Sequence, residues 1–325
     1  MKNDQRSSHI LISDRDHGLP YSKGLMASRV MVTGLAPYRA YQVAERIEEV
    51  LLERPVPSVT SMELNQVTVS VLEEVAGERY AKNFLRWQEV ERLDTPLVLL
   101  IGGATGVGKS TIATQLAARL GIVRVVATDA IREVMRSMFS KELMPTLHTS
   151  SFDADTALRE PPIRNTDKVI VGFREQTAAV SVGLNALMER AVVERTSLIL
   201  EGAHIVPGFV DIDAYADRCL AIQCVVTVDD EPTHRLHFSV RSAEMPTRPV
   251  ERYERGFDKI RRLQKYMKSQ ALSHEVPVVP NYSLDQALAA LIDLVVDRAT
   301  QRLKGDAARR HPSNPRAPEL EEVRT

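Results

Sequence analysis

Gly103-Ala104-Thr105-Gly106-Val107-Gly108-Lys109-Ser110 follows the apolar run Pro96-Leu97-Val98-Leu99-Leu100-Ile101 and leads into Thr111-Ile112-Ala113-Thr114-Gln115-Leu116-Ala117-Ala118-Arg119-Leu120. The eight residues match G-x-x-x-x-G-K-[ST]. The run before them reads as a strand and the apolar spacing after them as a helix, the setting in which this pattern is a phosphate-binding loop. Glycines let backbone approach an anion that a Cβ would hold away. Successive N–H groups and the positive end of the next helix then face the phosphates. Gly103 to Thr111 are therefore expected to cradle a nucleoside triphosphate, with Lys109 at the β- and γ-phosphates and the Ser110 hydroxyl on Mg²⁺. The bland alternative, a glycine-rich turn that binds nothing, explains neither the lysine nor the flanks.

Composition narrows the rest. The chain has 325 residues, room for two domains at roughly 150 residues each. Hydrophobic residues make up 44% and charged residues 26%, as in a soluble protein with real cores. A net charge of −1 argues against general affinity for nucleic acid or anionic membrane. No apolar stretch approaches the roughly 18 residues of a membrane span. Met1-Lys2-Asn3-Asp4-Gln5-Arg6-Ser7-Ser8 lacks the apolar region of a secretory signal, so a cytoplasmic protein is expected. Cys219 and Cys224 lie an odd number of residues apart in a strand candidate. They should point to opposite faces as small buried hydrophobes and not form a disulfide or metal pair.

Three units are expected: a mostly helical domain over 1–94, an α/β domain over 95–303 and a disordered tail over 304–325. In the first, His9–Ser13 reads as a strand, and Asp16-His17-Gly18-Leu19-Pro20 as a turn. Helices follow over Ser22–Thr33, Pro37–Glu53, Ser61–Ala76 and Glu78–Glu91. Thr60-Ser61-Met62-Glu63 is a capping-box pattern, and Tyr80, Phe84 and Trp87 at helical spacing read as core packing. The second unit alternates strands and helices as a parallel sheet does. Its strands are Leu97–Gly102, Val123–Ala127, Ser197–Leu200, Cys219–Val228 and Val276–Val279, and their continuous apolar character fits a sheet covered on both faces. Helices are expected from Ala130 to about Met138, near Arg174–Glu194, over the basic stretch Arg252–Met267, and from a Ser283 cap to about Leu303. The tail, poor in apolar residues and rich in Pro, Arg and Glu, is read as disordered.

Chemistry beyond the phosphate loop gathers at strand ends. Asp129 ends the second strand, where it can orient an acceptor hydroxyl or take its proton, although a helix-capping role is the simpler alternative. Arg132 and Arg136, one helical turn apart, could clamp an anionic substrate. Glu201 ends the third strand, where an acid commonly holds Mg²⁺ in such domains. His204 after it, and His148 within Pro145-Thr146-Leu147-His148-Thr149-Ser150-Ser151, are candidate pocket groups, with loop hydrogen bonding as the alternative. Arg235, Arg241, Arg248, Arg252, Arg255, Arg261 and Arg262 make the segment between the fourth and fifth strands dense in arginine. Most read as a solvated helix face. Arg241 and Arg248, flanking Met245-Pro246-Thr247 in an apparent loop, are the candidates for a catalytic lid.

The chain resembles the 2-phosphoglycerate kinases. The resemblance rests on Gly18-Leu19-Pro20-Tyr21-Ser22-Lys23-Gly24, the Gly102-to-Ser110 loop, Thr128-Asp129-Ala130-Ile131-Arg132-Glu133-Val134, Leu147-His148-Thr149-Ser150-Ser151 and Glu201-Gly202-Ala203-His204, and covers roughly residues 8–300. It implies a P-loop kinase with the loop-bearing strand central in a five-stranded parallel sheet, using ATP and Mg²⁺ on a small anionic substrate, 2-phosphoglycerate. The front unit is similar, more loosely, to an ATP-cone. The module's usual Lys-Arg-Asp-Gly is replaced here by Asp14-Arg15-Asp16-His17-Gly18, leaving Arg15 and Lys23 as phosphate contacts. Its other reading is a structural or dimerising domain, which leaves a homo-oligomer open. Two further readings stand beside the resemblance: a kinase for another small acid, sugar or nucleoside, and an ATP-sensing regulator without metabolic turnover. Asp129 and Glu201 at strand ends favour chemistry over sensing.

Overall fold

The computed structural model of the chain describes residues 10–14, 17–55, 58–91, 93–160, 166–244 and 250–310. The front unit folds as β1 (Leu11–Asp14), β2 (His17–Pro20), α1 (Lys23–Val30), α2 (Pro37–Leu52), β3 (Ser58–Val59), α3 (Ser61–Val75) and α4 (Glu78–Val90). The stretch expected as a turn is a strand over His17–Pro20, pairing antiparallel with β1. Its terminal proline is tolerated because β2 is the edge of a sheet ordered β2-β1-β3. The capping box forms: Thr60 Oγ1 accepts from the Glu63 N–H at 3.2 Å, and Glu63 Oε2 from the Thr60 N–H at 2.8 Å.

The second unit continues with β4 (Leu97–Gly102), α5 (Lys109–Leu120), β5 (Val125–Ala127), α6 (Thr128–Met138), α7 (Lys168–Val193), β6 (Leu198–Gly202), β7 (Leu220–Thr227), α8 (Glu231–Glu244), α9 (Val250–Arg255), α10 (Phe257–Ser273), β8 (Val278–Pro280) and α11 (Leu284–Arg310). The five strands are all parallel in the order β5-β6-β4-β7-β8, so the loop-bearing strand is central. Alternate residues of β4 enter opposite cores: Leu97, Leu99 and Ile101 pack on one face, Val98 and Leu100 on the other. Cys224 and Cys219 divide between the same two cores, both buried as free thiols.

Several helix boundaries differ from the sequence reading: α7 begins at Lys168, six residues before Arg174, and α1 ends at Val30 with a short 3-10 turn over Met31–Thr33. α6 starts at Thr128, two residues early. The basic stretch is two helices, α9 and α10, broken at Gly256, where a Cβ would stand 2.7 Å from the Phe152 ring. α11 continues through residues 305–310, beyond the expected end near Leu303; residues 311–325 of the expected tail lie outside the described residues. Among the described residues, no helix is long and apolar enough to cross a membrane.

α4 joins the two units. Phe84 is buried in the front core and Trp87, one turn on, in the core of the sheet, so the aromatic stripe is packing on both sides of a seam. Along that seam the buried Asn83 donates from Nδ2 to Thr33 O and to Asp293 Oδ1, each at 3.2 Å, and Arg79 reaches Asp293 Oδ2 at 2.8 Å. Asp293→Ala is expected to lower stability by about 1–2 kcal/mol, because it strips a buried amide of one partner. Urea unfolding should show a lower midpoint at unchanged m-value.

Candidate active site

A cavity of about 300 Å³ opens at the carboxyl ends of β4, β5 and β6, where an open parallel sheet gathers ligands. Its walls are Thr105, Lys109 and Ser110; Ala127, Asp129 and Arg132; Ser150, Ser151 and Phe152; Glu201, Gly202 and Ala203; and Arg252 and Tyr253. One wall is the phosphate loop. Its backbone turns through positive φ at Gly103, Gly106 and Gly108 (147°, 85° and 86°) before α5 begins at Lys109. The β4–β6 register sets Ile101 beside Glu201 and Gly102 beside Gly202. The first turn of α5 therefore overhangs the end of β6, and Ser110 Oγ donates to Glu201 Oε1 at 2.8 Å. Lys109 folds back so that Nζ donates to Ala104 O at 2.9 Å.

Asp129 stands on the opposite wall. With α6 starting at Thr128 and Ala127 as its N-cap, Asp129 lies within the first turn and is not the capping residue. Its carboxylate is 58% exposed towards the cleft and 3.7 Å from Arg132 Nε, and the helix N-terminus favours its charge. Arg132 also donates from Nη1 to Leu147 O (3.1 Å) and Thr149 O (2.8 Å), so it both lines the cleft and fixes the loop that brings Ser150 and Ser151 there.

Arg136 does not join Arg132. It is exposed, outside the cleft, and paired with Glu133 at 2.6 Å. His148 turns away, with Nε2 at 3.0 Å from Phe139 O. His204 lies beneath the floor with no exposed surface. Its Nδ1 accepts from Thr128 Oγ1 and its Nε2 donates to Gln176 Oε1, both at 2.9 Å, while Gln176 Nε2 donates to Thr149 O at 3.2 Å. The two histidines thus take the loop-bonding alternative, since backbone carbonyls and buried amides offer them closer partners than the cleft does. Through Gln176, His204 ties the start of α6 to the loop at Thr149. Gly202 makes this possible: at φ 154°, a Cβ there would lie 1.8 Å from Thr128 Oγ1.

Of the two lid candidates, Arg241 lies on helix α8 and not in a loop, because the helix runs on to Glu244; Arg248 lies outside the described residues. Among the described residues of this arginine-rich segment, Arg252 on α9 reaches the cleft, with Tyr253 beside it. Arg252 is 3.6 Å from Asp153 and its guanidinium is 5.7 Å from the Phe152 ring centroid. Lys259 pairs at 2.7 Å with the deeply buried Asp155, holding α10 against the same loop. Sequence reading missed Arg252, Tyr253 and Phe152. The only signal was the Gly256 interruption, which fixes which face of the basic stretch turns inward.

No family model matches the chain. Curated relatives do. The chain is similar to the 2-phosphoglycerate kinase of Methanothermobacter thermautotrophicus, at 39% identity over 282 residues, 86% of this chain and 92% of that one. That of Thermococcus kodakarensis is 38% identical over 280 residues (86% and 94%), and that of Methanococcus maripaludis 36% over 298 (91% and 94%). Among solved structures, a shikimate kinase from Acinetobacter baumannii covers 64% of this chain and 97% of its own at 17% identity and a TM-score of 0.36. A gluconokinase from Sinorhizobium meliloti covers 66% and 98% at 13% identity, also with a TM-score of 0.36.

Burial pushes the His204 imidazole down to about 4 from its usual 6.5, against the pull of Asp129. Between those values the unfolded chain binds a proton that the native state refuses. The contribution is therefore intact above pH 6.5 and lost as pH falls towards 4, by up to about 1.4 kcal/mol per unit. Denaturant titrations between pH 7 and pH 4.5 are expected to show this acid-side loss. In His204→Gln the slope should be shallower by up to one proton.

Proposed function

The chain belongs to the 2-phosphoglycerate kinase family, and from that premise we propose that it transfers the γ-phosphoryl group of ATP to the free hydroxyl of 2-phosphoglycerate, giving 2,3-bisphosphoglycerate and ADP. The observation that carries this reading is the two-walled cleft. Lys109, Ser110 and Glu201 face it from the phosphate loop and β6; Asp129, Arg132, Ser151 and Arg252 face it from the other side.

In this reading the loop N–H groups and the N-terminus of α5 bind the ATP phosphates. Lys109 exchanges Ala104 O for phosphate oxygens. The Ser110–Glu201 oxygen pair fits Mg²⁺, a hard cation that takes few protein ligands beside substrate phosphates and water. When bound there, the ion offsets phosphate charge. Asp129 accepts the hydrogen bond of the acceptor hydroxyl and takes its proton. As the new oxygen–phosphorus bond forms, the bond from the γ-phosphorus to the bridging oxygen breaks and ADP leaves. Arg132 and Arg252 hold the acceptor's carboxylate and phosphate, and Tyr253 and Phe152 close the cleft beside them. A small acceptor with two anionic groups is matched by localised cations in a chain whose net charge is only −1.

Residues 1–94 are proposed as an ATP-cone-like domain in front of a kinase domain over 95–303. Four helices and a three-stranded sheet support that reading. Of its two basic residues, Lys23 is paired with Glu48 at 3.2 Å, and Arg15 lies outside the described residues.

Acceptor-dependent ADP release with Mg²⁺–ATP should appear with 2-phosphoglycerate and not with 3-phosphoglycerate or glycerate; a bisphosphoglycerate made from 3-phosphoglycerate, or a phosphoglycerate made from glycerate, would overturn the substrate assignment. Lys109→Ala is expected to abolish transfer with the fold intact. Asp129→Asn should keep ATP affinity while kcat falls about 10²–10⁴-fold, the range of a lost general base. An unchanged kcat would reduce Asp129 to a stabiliser of the α6 N-terminus.

A further inference from the structure

A loop that turns its N–H groups towards an anion turns its carbonyl oxygens towards the protein, and buried carbonyls need donors. Every carbonyl from Ala104 to Gly108 has one. Ala104 O receives Lys109 Nζ at 2.9 Å, Thr105 O receives His234 Nε2 at 2.8 Å, and Gly106 O receives His237 Nδ1 at 2.9 Å. Val107 O receives Asn281 Nδ2 at 2.9 Å, and Gly108 O the Ile112 N–H at 3.0 Å. Two successive carbonyls at the tip are thus held by two histidines one turn apart on α8, which follows the carboxyl end of β7 beside the loop.

The helix that carries them is itself fixed. Asp230 caps its first turn, accepting the Thr233 N–H at 2.8 Å. Arg261 on α10 donates to Val228 O (2.6 Å) and Asp229 O (2.8 Å) just before it. Phe238, one turn after His234, lies so close that a Cβ on Gly106 would stand 2.4 Å from its ring. Burial brings the His234 imidazole down to about 4, so the ring is neutral and has one N–H. The Thr105 carbonyl places that hydrogen on Nε2, and Nδ1 faces Arg261 Nη1 at 3.4 Å.

We propose that His234 and His237 are positioning residues for ATP: by bonding Thr105 O and Gly106 O from behind, they hold the loop in its phosphate-cradling shape before nucleotide arrives. This rests on the reading of residues 103–110 as the ATP cradle. Lys109 must leave Ala104 O to reach phosphate, and the two histidines keep the tip from collapsing when it does. Preorganisation of this kind acts on nucleotide affinity, because the loop then loses less freedom on binding.

The test is ADP affinity by calorimetry, with KM for ATP, KM for the acceptor and kcat, in matched variants whose folding is checked by circular dichroism. Asn can present a donor where His237 Nδ1 stands, and Gln one where His234 Nε2 stands. His237→Ala and His234→Leu are expected to weaken ADP and raise KM for ATP about fivefold to tenfold, the scale of one net hydrogen bond. KM for the acceptor should hold. His237→Asn and His234→Gln should stay within about twofold of the parent. If the buried His234→Leu fails to fold, the half-buried His237 pair still decides. Parental ADP affinity in His237→Ala, or a folded His237→Asn as weak as His237→Ala, overturns the proposal. Lys109→Ala separates the two levels: if it too binds ADP like the parent, the cradle reading itself fails, whereas weakened binding in Lys109→Ala beside unaffected histidine variants removes the clamp alone.

Discussion

The lateral register of two parallel strands governs the chemistry of this molecule. β4 and β6 end level, Gly102 beside Gly202, and this places the first turn of α5 over the last residues of β6. Ser110 and Glu201, far apart in the chain, become hydrogen-bond partners as a result. The same level ending lets Thr128 close on Gly202 where only hydrogen would fit, which fixes the start of α6 and the height of Asp129. A register shift of one residue would turn Glu201 from the cleft-facing side of the strand to the opposite core. Apolar packing on both sheet faces, with Leu198 and Leu200 on one side and Ile199 on the other, makes that shift costly. The active-site geometry is thus held by hydrophobic alternation beneath it.

What could be read from the chain alone follows the range over which each signal acts. The phosphate loop, Glu201 and Asp129 were legible because a strand, its terminal residue and the next helix are consecutive, so motif and geometry coincide. For His148 and His204 the loop hydrogen-bonding role was legible as one of two readings, but not which partners they would take. Their partners, Phe139 O in one case and Thr128 and Gln176 in the other, are set by packing that no spacing encodes. Arg252 read as a solvated helix face since its helix is amphipathic only in relation to Phe152, which arrives from a distant loop. In the front unit, Gly18-Leu19-Pro20 has turn composition, yet as the edge of a small sheet β2 needs few of its backbone groups paired.

Aromatic rings connect the two sides of the cleft. Phe152 meets Tyr253 at 6.1 Å between centroids, Tyr253 stacks on Phe238 at 5.0 Å and 9°, and Phe238 stacks on His234 at 5.3 Å and 25°. The series runs from the acceptor wall to the back of the phosphate loop. Close-packed rings transmit a displacement because a sub-ångström gap already forfeits much of their attraction.

The two walls nevertheless differ in how they are built. The donor wall is held by side chains bonded to backbone carbonyls, an arrangement that tolerates little change because each lost donor leaves a buried acceptor unpaired. The acceptor wall is made of side-chain tips. Arg252 is 54% exposed and its pairing with Asp153 is loose at 3.6 Å; Ser150 and Ser151 ride on a loop anchored by Arg132. The two walls are thus held by separate sets of contacts, with the sheet register common to both.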